Sequence, residues 1–284
     1  MGYQTFQPIP QLEPYVESIW LQHDERDASQ YEFPATTIVP TTRIDLLFFF
    51  GDPFVEHVGS SRFSLPRFYL LGQRTAPLKV SASGRTGVII ISFKPCAALP
   101  LFKIPMQEFT DQSVTLDSFM EPAEIRTVEE RVMNTESLHQ KVMILQNFLA
   151  TKLQTCLFDS LVLQAAHHIN RQFNAFDIRQ TAAGFGLGRR QFERRFQQSV
   201  GLSPRKFANI LRFQKALFLH QEGENWADIV DICGYYDQSH FIREMKSHSS
   251  FSPSQVLTST GPRSLKSYFN YHLSMSQFYN TLYL

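Results

Sequence analysis

Four arginines, Arg189, Arg190, Arg194 and Arg195, lie in the stretch GLGRRQFERRFQQSVGLSP between Gly186 and Pro204. A guanidinium is charged at every physiological pH and presents its N–H donors in a planar fork, so the chemistry it offers is recognition of an anion or a base edge rather than proton transfer. If residues 189–198 are helical, Phe192 and Phe196 share one face, while Arg190, Glu193, Arg194 and Gln197 follow i, i+3, i+4, i+7 on another. One face is apolar; the other is long, polar and rich in donors. A run of arginines on an amphipathic helix also serves as a plain solvated face, and the stretch taken alone does not decide between the two.

An internal repeat decides. Shifting the chain by 49 positions lays Phe192 on Phe241, Arg194 on Arg243, Phe196 on Met245, Leu202 on Phe251, Ser203 on Ser252 and Pro204 on Pro253. The elements needed to position two such faces are legible around them. Ile178 to Phe185 reads as a short helix, Gly186 as a tight turn and Gly188 as the N-cap of the arginine-rich helix, which is the helix-turn-helix pattern whose second helix enters the major groove of DNA. In the second unit, Trp226 to Pro253, Ile229, Ile232 and Cys233 supply the apolar face of the first helix, Gly234 the turn and Asp237 the cap of a helix starting at Gln238. Phe241 and Met245 then face inward. Between the units, Ser203 caps and Pro204 opens a long helix whose Phe207, Leu211, Phe213, Ala216, Leu217 and Phe218 make it a shared spine. One such helix can hold two recognition helices at the roughly 34 Å separation of successive major grooves.

Side-chain chemistry then assigns roles. Arg190 and Arg194 suit bidentate contact with guanine, Gln191 and Gln238 suit adenine, Glu193 suits cytosine, and Ser239, Ile242 and Arg243 complete the second base-reading face, with Ile242 fitted to a thymine methyl. Arg189, Arg195, Arg205, Lys206 and Lys246 are expected on phosphates.

These residues carry a resemblance. The run from about Phe158 to Leu257 resembles the DNA-binding domain of AraC/XylS-type bacterial transcription regulators, through G-L-G-R-R-Q-F-E-R-R-F, G-L-S-P-R-K-F followed by L-R-F-Q-K-A, and I-x-x-I-C-G-Y-Y-D-Q-S-H-F-I-R-E-M-K ending at F-S-P. Gly188 stands where the family has a serine cap, Thr181 where it has a leucine, and Tyr235 and Met245 where it has phenylalanines. The resemblance implies a regulator with double-stranded DNA as partner, and it admits a small-molecule effector, a homodimer and contact with RNA polymerase.

Composition fits this reading. Of 284 residues, 43% are apolar and 19% charged, as in a soluble globular protein large enough for two domains. The net charge of +1 hides an asymmetry: residues 1–157 hold 13 Lys/Arg against 17 Asp/Glu, giving −4, and residues 158–284 hold 14 against 9, giving +5. Cys96, Cys156 and Cys233 sit among apolar neighbours with no close-spaced Cys/His pattern, so they read as free thiols and no metal site or cofactor is expected. MGYQTFQPIPQLE lacks the marks of a signal peptide and no apolar run reaches a membrane span, so a cytoplasmic protein without membrane partners is expected.

Ahead of the DNA-binding region, short runs such as Ile44 to Phe50, Phe68 to Leu71 and Gly87 to Phe93 are punctuated by Pro, Gly, Asp and Ser, which predicts strands of a small antiparallel barrel. P-Y-V-E-S-I-W, V-P-T-T-R-I-D-L-L-F, L-G-Q-R-T-A-P and I-S-F-K-P-C-A-A resemble the cupin-like domain found at the N-terminus of one group of AraC-type regulators. In those it senses a ligand or dimerises. Trp20, Arg43, Asp45, Gln73 and Arg74 are the polar residues placed to meet an effector, with Arg43 and Asp45 equally suited to an ion pair on one strand face. The expected fold is therefore α+β: a cupin-like barrel over 1–120, helices over 121–157 broken near 134–136 that either pack on the barrel or dimerise, a double helix-turn-helix over 158–258, and an aromatic-rich tail over 259–284. Two other classes compete: a regulator without effector that works through protein contacts, and a cupin-type enzyme fused to a DNA-binding domain. The enzyme needs a metal cluster or reactive cysteine motif, and His23, His57, His167 and His168 have no spacing for one, so a non-enzyme is expected.

Overall fold

The computed structural model describes residues 2–24, 35–153 and 159–256. Cys156, Phe158 and the aromatic tail from 259 lie outside the described residues. Among the described residues the N-terminal half holds ten strands: β1 (Gly2–Phe6), β2 (Val16–Asp24), β3 (Thr36–Ile38), β4 (Asp45–Phe49), β5 (Phe54–Val58), β6 (Ser61–Ser64), β7 (Phe68–Leu71), β8 (Leu78–Ala82), β9 (Thr86–Phe93) and β10 (Ser113–Thr115). They form two antiparallel sheets, a six-stranded one in the order β1-β2-β9-β4-β7-β10 and a four-stranded one in the order β3-β8-β5-β6. The expected closed barrel is corrected to these two open sheets. No ladder joins β6, exposed along its whole length, to the larger sheet among the described residues.

The apolar runs are strands buried on both faces, which is why they lack simple alternation in hydropathy. On β4, Leu46 and Phe48 point to a core shared with helices, while Leu47 and Phe49 point between the sheets to Trp20, Tyr69, Val80, Val88 and Ile90. Register sets the layer: Leu47 opposes Ile90 on one side and Tyr69 on the other, and Trp20 opposes Ile90.

A short helix, α1 (Leu99–Phe102), and a 3₁₀ turn at Met106–Phe109 lead to α2 (Pro122–Met133) and α3 (Leu138–Lys152). Ser137 accepts a bond from the Gln140 N–H and starts α3, where the helix break was expected. Ile125, Val128, Val132, Val142, Leu145, Phe148 and Leu149 bury their stripe against the large sheet. Of the two uses the periodicity allows, packing on the chain's own sheet takes the stripe.

The C-terminal part is helical: α4 (Ser160–Arg171), α5 (Ile178–Gly184), α6 (Arg189–Val200), α7 (Pro204–Gln221), α8 (Trp226–Ile232), α9 (Gln238–Ser249) and α10 (Pro253–Val256). It has two cores. Phe192, Phe196, Phe207, Ala208, Ile210 and Leu211 belong to one, and Phe213, Ala216, Leu217, Ile229, Val230, Phe241 and Met245 to the other, so α7 is the spine of both. No described helix is long and apolar enough to cross a membrane.

Candidate nucleic-acid interface

Each recognition helix is placed by a glycine turn and an apolar pair. Asp177 caps α5 by accepting from the Gln180 N–H at 2.7 Å, and Thr181, buried where the resembling family has a leucine, donates its hydroxyl to the Asp177 carbonyl at 2.8 Å. Gly186 takes φ +67°, a left-handed turn that side chains rarely adopt, and Gly234 takes φ +68° in the second unit. Phe192 and Phe196 are fully buried, with Phe196 edge-on to Phe207 at 5.4 Å, and they fix which face of α6 meets solvent. Ser203 caps α7 through the Lys206 N–H at 3.3 Å, with Pro204 as its first residue.

In the second unit Asn225 caps α8, accepting from the Ala227 and Asp228 N–H groups at 3.0 Å each. The inward face of α8 is Ile229, Val230 and Cys233. Ile232, expected inward, is 45% exposed, because a helix this short leaves its phase open to one residue's error. Asp237 accepts from the His240 N–H at 2.6 Å and caps α9, whose Phe241 and Met245 are buried. Tyr235 is buried against Phe241, with ring centroids 5.0 Å apart, beneath the Arg212 guanidinium at 5.3 Å.

On α6, Arg189, Arg190, Gln191 and Arg194 are exposed; on α9, Gln238, Ser239, Arg243 and Lys246 are exposed; Arg205 and Lys206 are exposed at the start of α7. Three expected contact residues differ. Glu193 is half-buried, with its carboxylate 3.4 Å from Arg189. Ile242 is half-buried and leans on the second core. Arg195, expected on phosphate, donates Nη2 to Asp159 Oδ1 at 2.9 Å, and this ion pair ties α6 to the start of α4. Asp159 also caps α4 through the Val162 N–H at 3.2 Å, a role its place before an apolar helical run signals.

The effector candidates separate as well. Trp20 and Asp45 face the layer between the sheets, on the side of β2 and β4 that carries Leu47 and Phe49. Burial pushes the Asp45 carboxyl above its usual range, with Arg43 and Ser92 pulling the other way, and Asp45 Oδ1 makes no hydrogen bond among the described residues. Arg43 lies ahead of β4 rather than on it, pairs with Glu17 at 3.8 Å and also attracts the Asp45 carboxyl, so the three side chains form one buried cluster. Arg74 donates to the Asp111 carbonyl at 2.9 Å and to Ser113 at 2.8 Å, and Gln73 donates to the Val200 carbonyl at the end of α6. Neither is committed to the inter-sheet layer.

Burial raises the thiols of Cys96 and Cys233 to about 12, which removes them as nucleophiles near neutral pH. Among the described residues no group of three or more His, Cys, Asp and Glu side chains is placed to hold a metal ion.

A helix-turn-helix domain family matches residues 181–259, and a domain of unknown function, DUF6597, matches residues 4–115. The chain is 30% identical over 96 residues to the HTH-type transcriptional regulator MtrA of Neisseria gonorrhoeae, covering 34% of this chain and 32% of that protein. It is 32% identical over 78 residues to the HTH-type transcriptional activator RhaS of Klebsiella pneumoniae (strain 342), covering 27% and 28%. The matched segment thus spans about a third of these relatives' length or less. Among solved structures, ToxT from Vibrio cholerae aligns over 89% of this chain and 97% of its own at 12% identity, with a TM-score of 0.46.

Proposed function

We propose, on the premise that residues 181–259 are a helix-turn-helix domain of the AraC type, that the protein is a sequence-specific DNA-binding regulator of transcription and not an enzyme. The observation that carries this reading is that α6 and α9 turn their donor-rich faces to solvent from two cores built on one spine helix. Arg190, Gln191 and Arg194 on α6 and Gln238, Ser239 and Arg243 on α9 read base edges, with Glu193 and Ile242 at the margins of those faces. Arg189, Arg205, Lys206 and Lys246 meet phosphates. Arg195 instead fixes α6 to α4 through Asp159, so its loss acts on helix position rather than on a phosphate.

The N-terminal sheets are the regulatory part. Their inter-sheet layer places Trp20 and the buried Asp45 among aromatic and aliphatic side chains, surroundings that suit a small effector with an apolar body and one polar group. The apolar stripe of α2 and α3 is taken up by the chain's own sheet, so a homodimer would use another surface.

Selection of bound sequences from random DNA, followed by gel shift at several salt concentrations, tests the reading. Binding falls as salt rises because phosphate contacts release counterions. Arg194→Ala weakens the selected site by on the order of ten- to hundredfold and loses preference at one base position. Unchanged affinity and preference in that variant overturn the assignment, and an absence of salt-dependent binding favours a regulator that works through protein contacts.

A further inference from the structure

The N-terminal domain reaches into both halves of the DNA-reading region. The last carbonyls of a helix have no partner within it, and at the end of α6 they are met from outside. Gln73 donates its side-chain amide to the Val200 carbonyl, and Thr110 donates its hydroxyl to the Gly201 carbonyl at 2.8 Å. Gly201 takes φ +102°, and a Cβ there would run into the Gln73 amide oxygen and stand 3.0 Å from the Met106 carbonyl. The two domains therefore meet at backbone distance, and glycine is the residue that permits it. The two donors come from loops that are themselves tied together: the Asp111 N–H donates to the Gln73 carbonyl at 2.9 Å, and the Gly72 N–H to the Gln112 carbonyl at 3.0 Å.

The second half is held by a different loop. Val39, 1% exposed, sits in the core formed by Phe213, Leu217 and Phe241, and Gln214 on α7 donates to the Pro40 carbonyl at 3.1 Å. Cys96 is the corresponding intruder in the first core, its thiol 3.8 Å from the Asp159 carbonyl. One domain thus contributes a buried side chain and a hydrogen bond to each of two otherwise separate cores.

We propose that the N-terminal domain is a brace that sets the placement of α6 relative to α9, with Gln73 and Thr110 as positioning residues for DNA reading. This rests on the assignment of α6 and α9 as the DNA-reading helices. Bases are contacted by the N-terminal residues of a recognition helix, and the brace grips the C-terminal end of α6, leaving Arg190, Gln191 and Arg194 exposed. A brace of this kind makes the reader intolerant of changes in half-site spacing, since each inserted base pair moves one half-site about 3.4 Å along the axis and turns it by about a tenth of a turn.

The test uses the full chain and a site selected from random DNA, with one or two base pairs inserted between its half-sites, read by fluorescence anisotropy over a range of salt. The unmodified chain loses about tenfold or more in affinity per inserted pair. Gln73→Glu, which keeps the size but presents oxygens to the Val200 carbonyl, and Thr110→Val, which deletes the hydroxyl, each shrink that penalty to about threefold or less while the salt slope stays unchanged. Thr110→Ser restores the full penalty. Gln214→Leu at the other anchor acts in the same direction, and thermal melts establish that each variant is folded. A penalty in the folded variants equal to that of the unmodified chain overturns the brace while leaving the DNA reading intact. Tighter binding by the variants at every spacing also overturns it, because the contacts then oppose DNA binding. Absence of salt-dependent binding by the unmodified chain overturns the DNA reading and the brace with it.

Discussion

The two helix-turn-helix units share a plan and differ in how each recognition helix is secured. Helix α9 is closed at both ends by its own residues: Asp237 caps its start at 2.6 Å, and it ends at Ser250 in the left-handed region with the Ser250 N–H on the Lys246 carbonyl at 2.9 Å. Helix α6 starts at Gly188 with no side-chain cap, is tied at its middle by the Arg195–Asp159 pair, and ends under Gln73 and Thr110 of the other domain. It also carries four arginines against the single Arg243 and Lys246 of α9. Like charges on one helix repel and weaken it, and the external ties offset that. The unit richer in arginine is thus the one whose second helix is gripped directly at its end by the N-terminal domain, whereas the other unit meets that domain through its core and through α7.

The largest break in this comparison comes from the cores. Phe196→Ala removes a fully buried ring and costs about 3–5 kcal/mol. With the first core lost, salt-dependent DNA binding disappears. Phe241→Ala costs a similar amount in the second core, but the arginine-rich unit survives and retains salt-dependent binding with poor sequence choice. Circular-dichroism melts with gel shifts on specific and random DNA read both effects, and equal loss of nonspecific binding in the two variants defeats the division of labour.

Much of this contrast was legible in the chain. The Ser203-Pro204 start, the Asp237 cap and the glycine turns are local chemistry, and periodicity gave the apolar pairs Phe192/Phe196 and Phe241/Met245 because a helix repeats within a few residues. Sequence reading stopped short where a partner is far away. The Val200 carbonyl that meets Gln73 lies 127 positions on, and the Asp159 that pairs with Arg195 lies 36 positions back, so neither contact was visible beside the effector and phosphate roles expected of those residues. The barrel failed for the same reason. The unbroken apolar run along β4 says that both faces are buried but not which strands pair, and pairing across β6 decides closure. Ile232 was misplaced for a local reason, since α8 is too short for the helical phase to be fixed by its pattern.

The caps give the smaller effects. Asp237→Ala deletes the bond to the His240 N–H and costs about 1 kcal/mol. Its consequence is fraying at Gln238 and Ser239, so sequence choice at the second half-site falls more than total affinity, and selection of bound sequences by the variant measures this. Uniform weakening across all sites instead counts against α9 as the finer reader.

Gly188→Ser probes the reverse, at the smallest scale. Gly188 has φ −69° and ψ 147°, an extended conformation open to any residue, and a Cβ there meets nothing within 4 Å. A serine therefore fits without strain, and its hydroxyl can accept from the N–H groups at the start of α6, stabilising the chain by a few tenths of a kcal/mol over glycine. Gly188→Ala adds the same Cβ without the oxygen and is destabilising by comparison. Urea unfolding of the full chain separates the two variants, because their difference isolates the cap from the change in backbone freedom. Stability that is the same in serine and alanine variants means the open start of α6 is not what distinguishes the two units, leaving the arginines and the ties from the N-terminal domain to account for the difference.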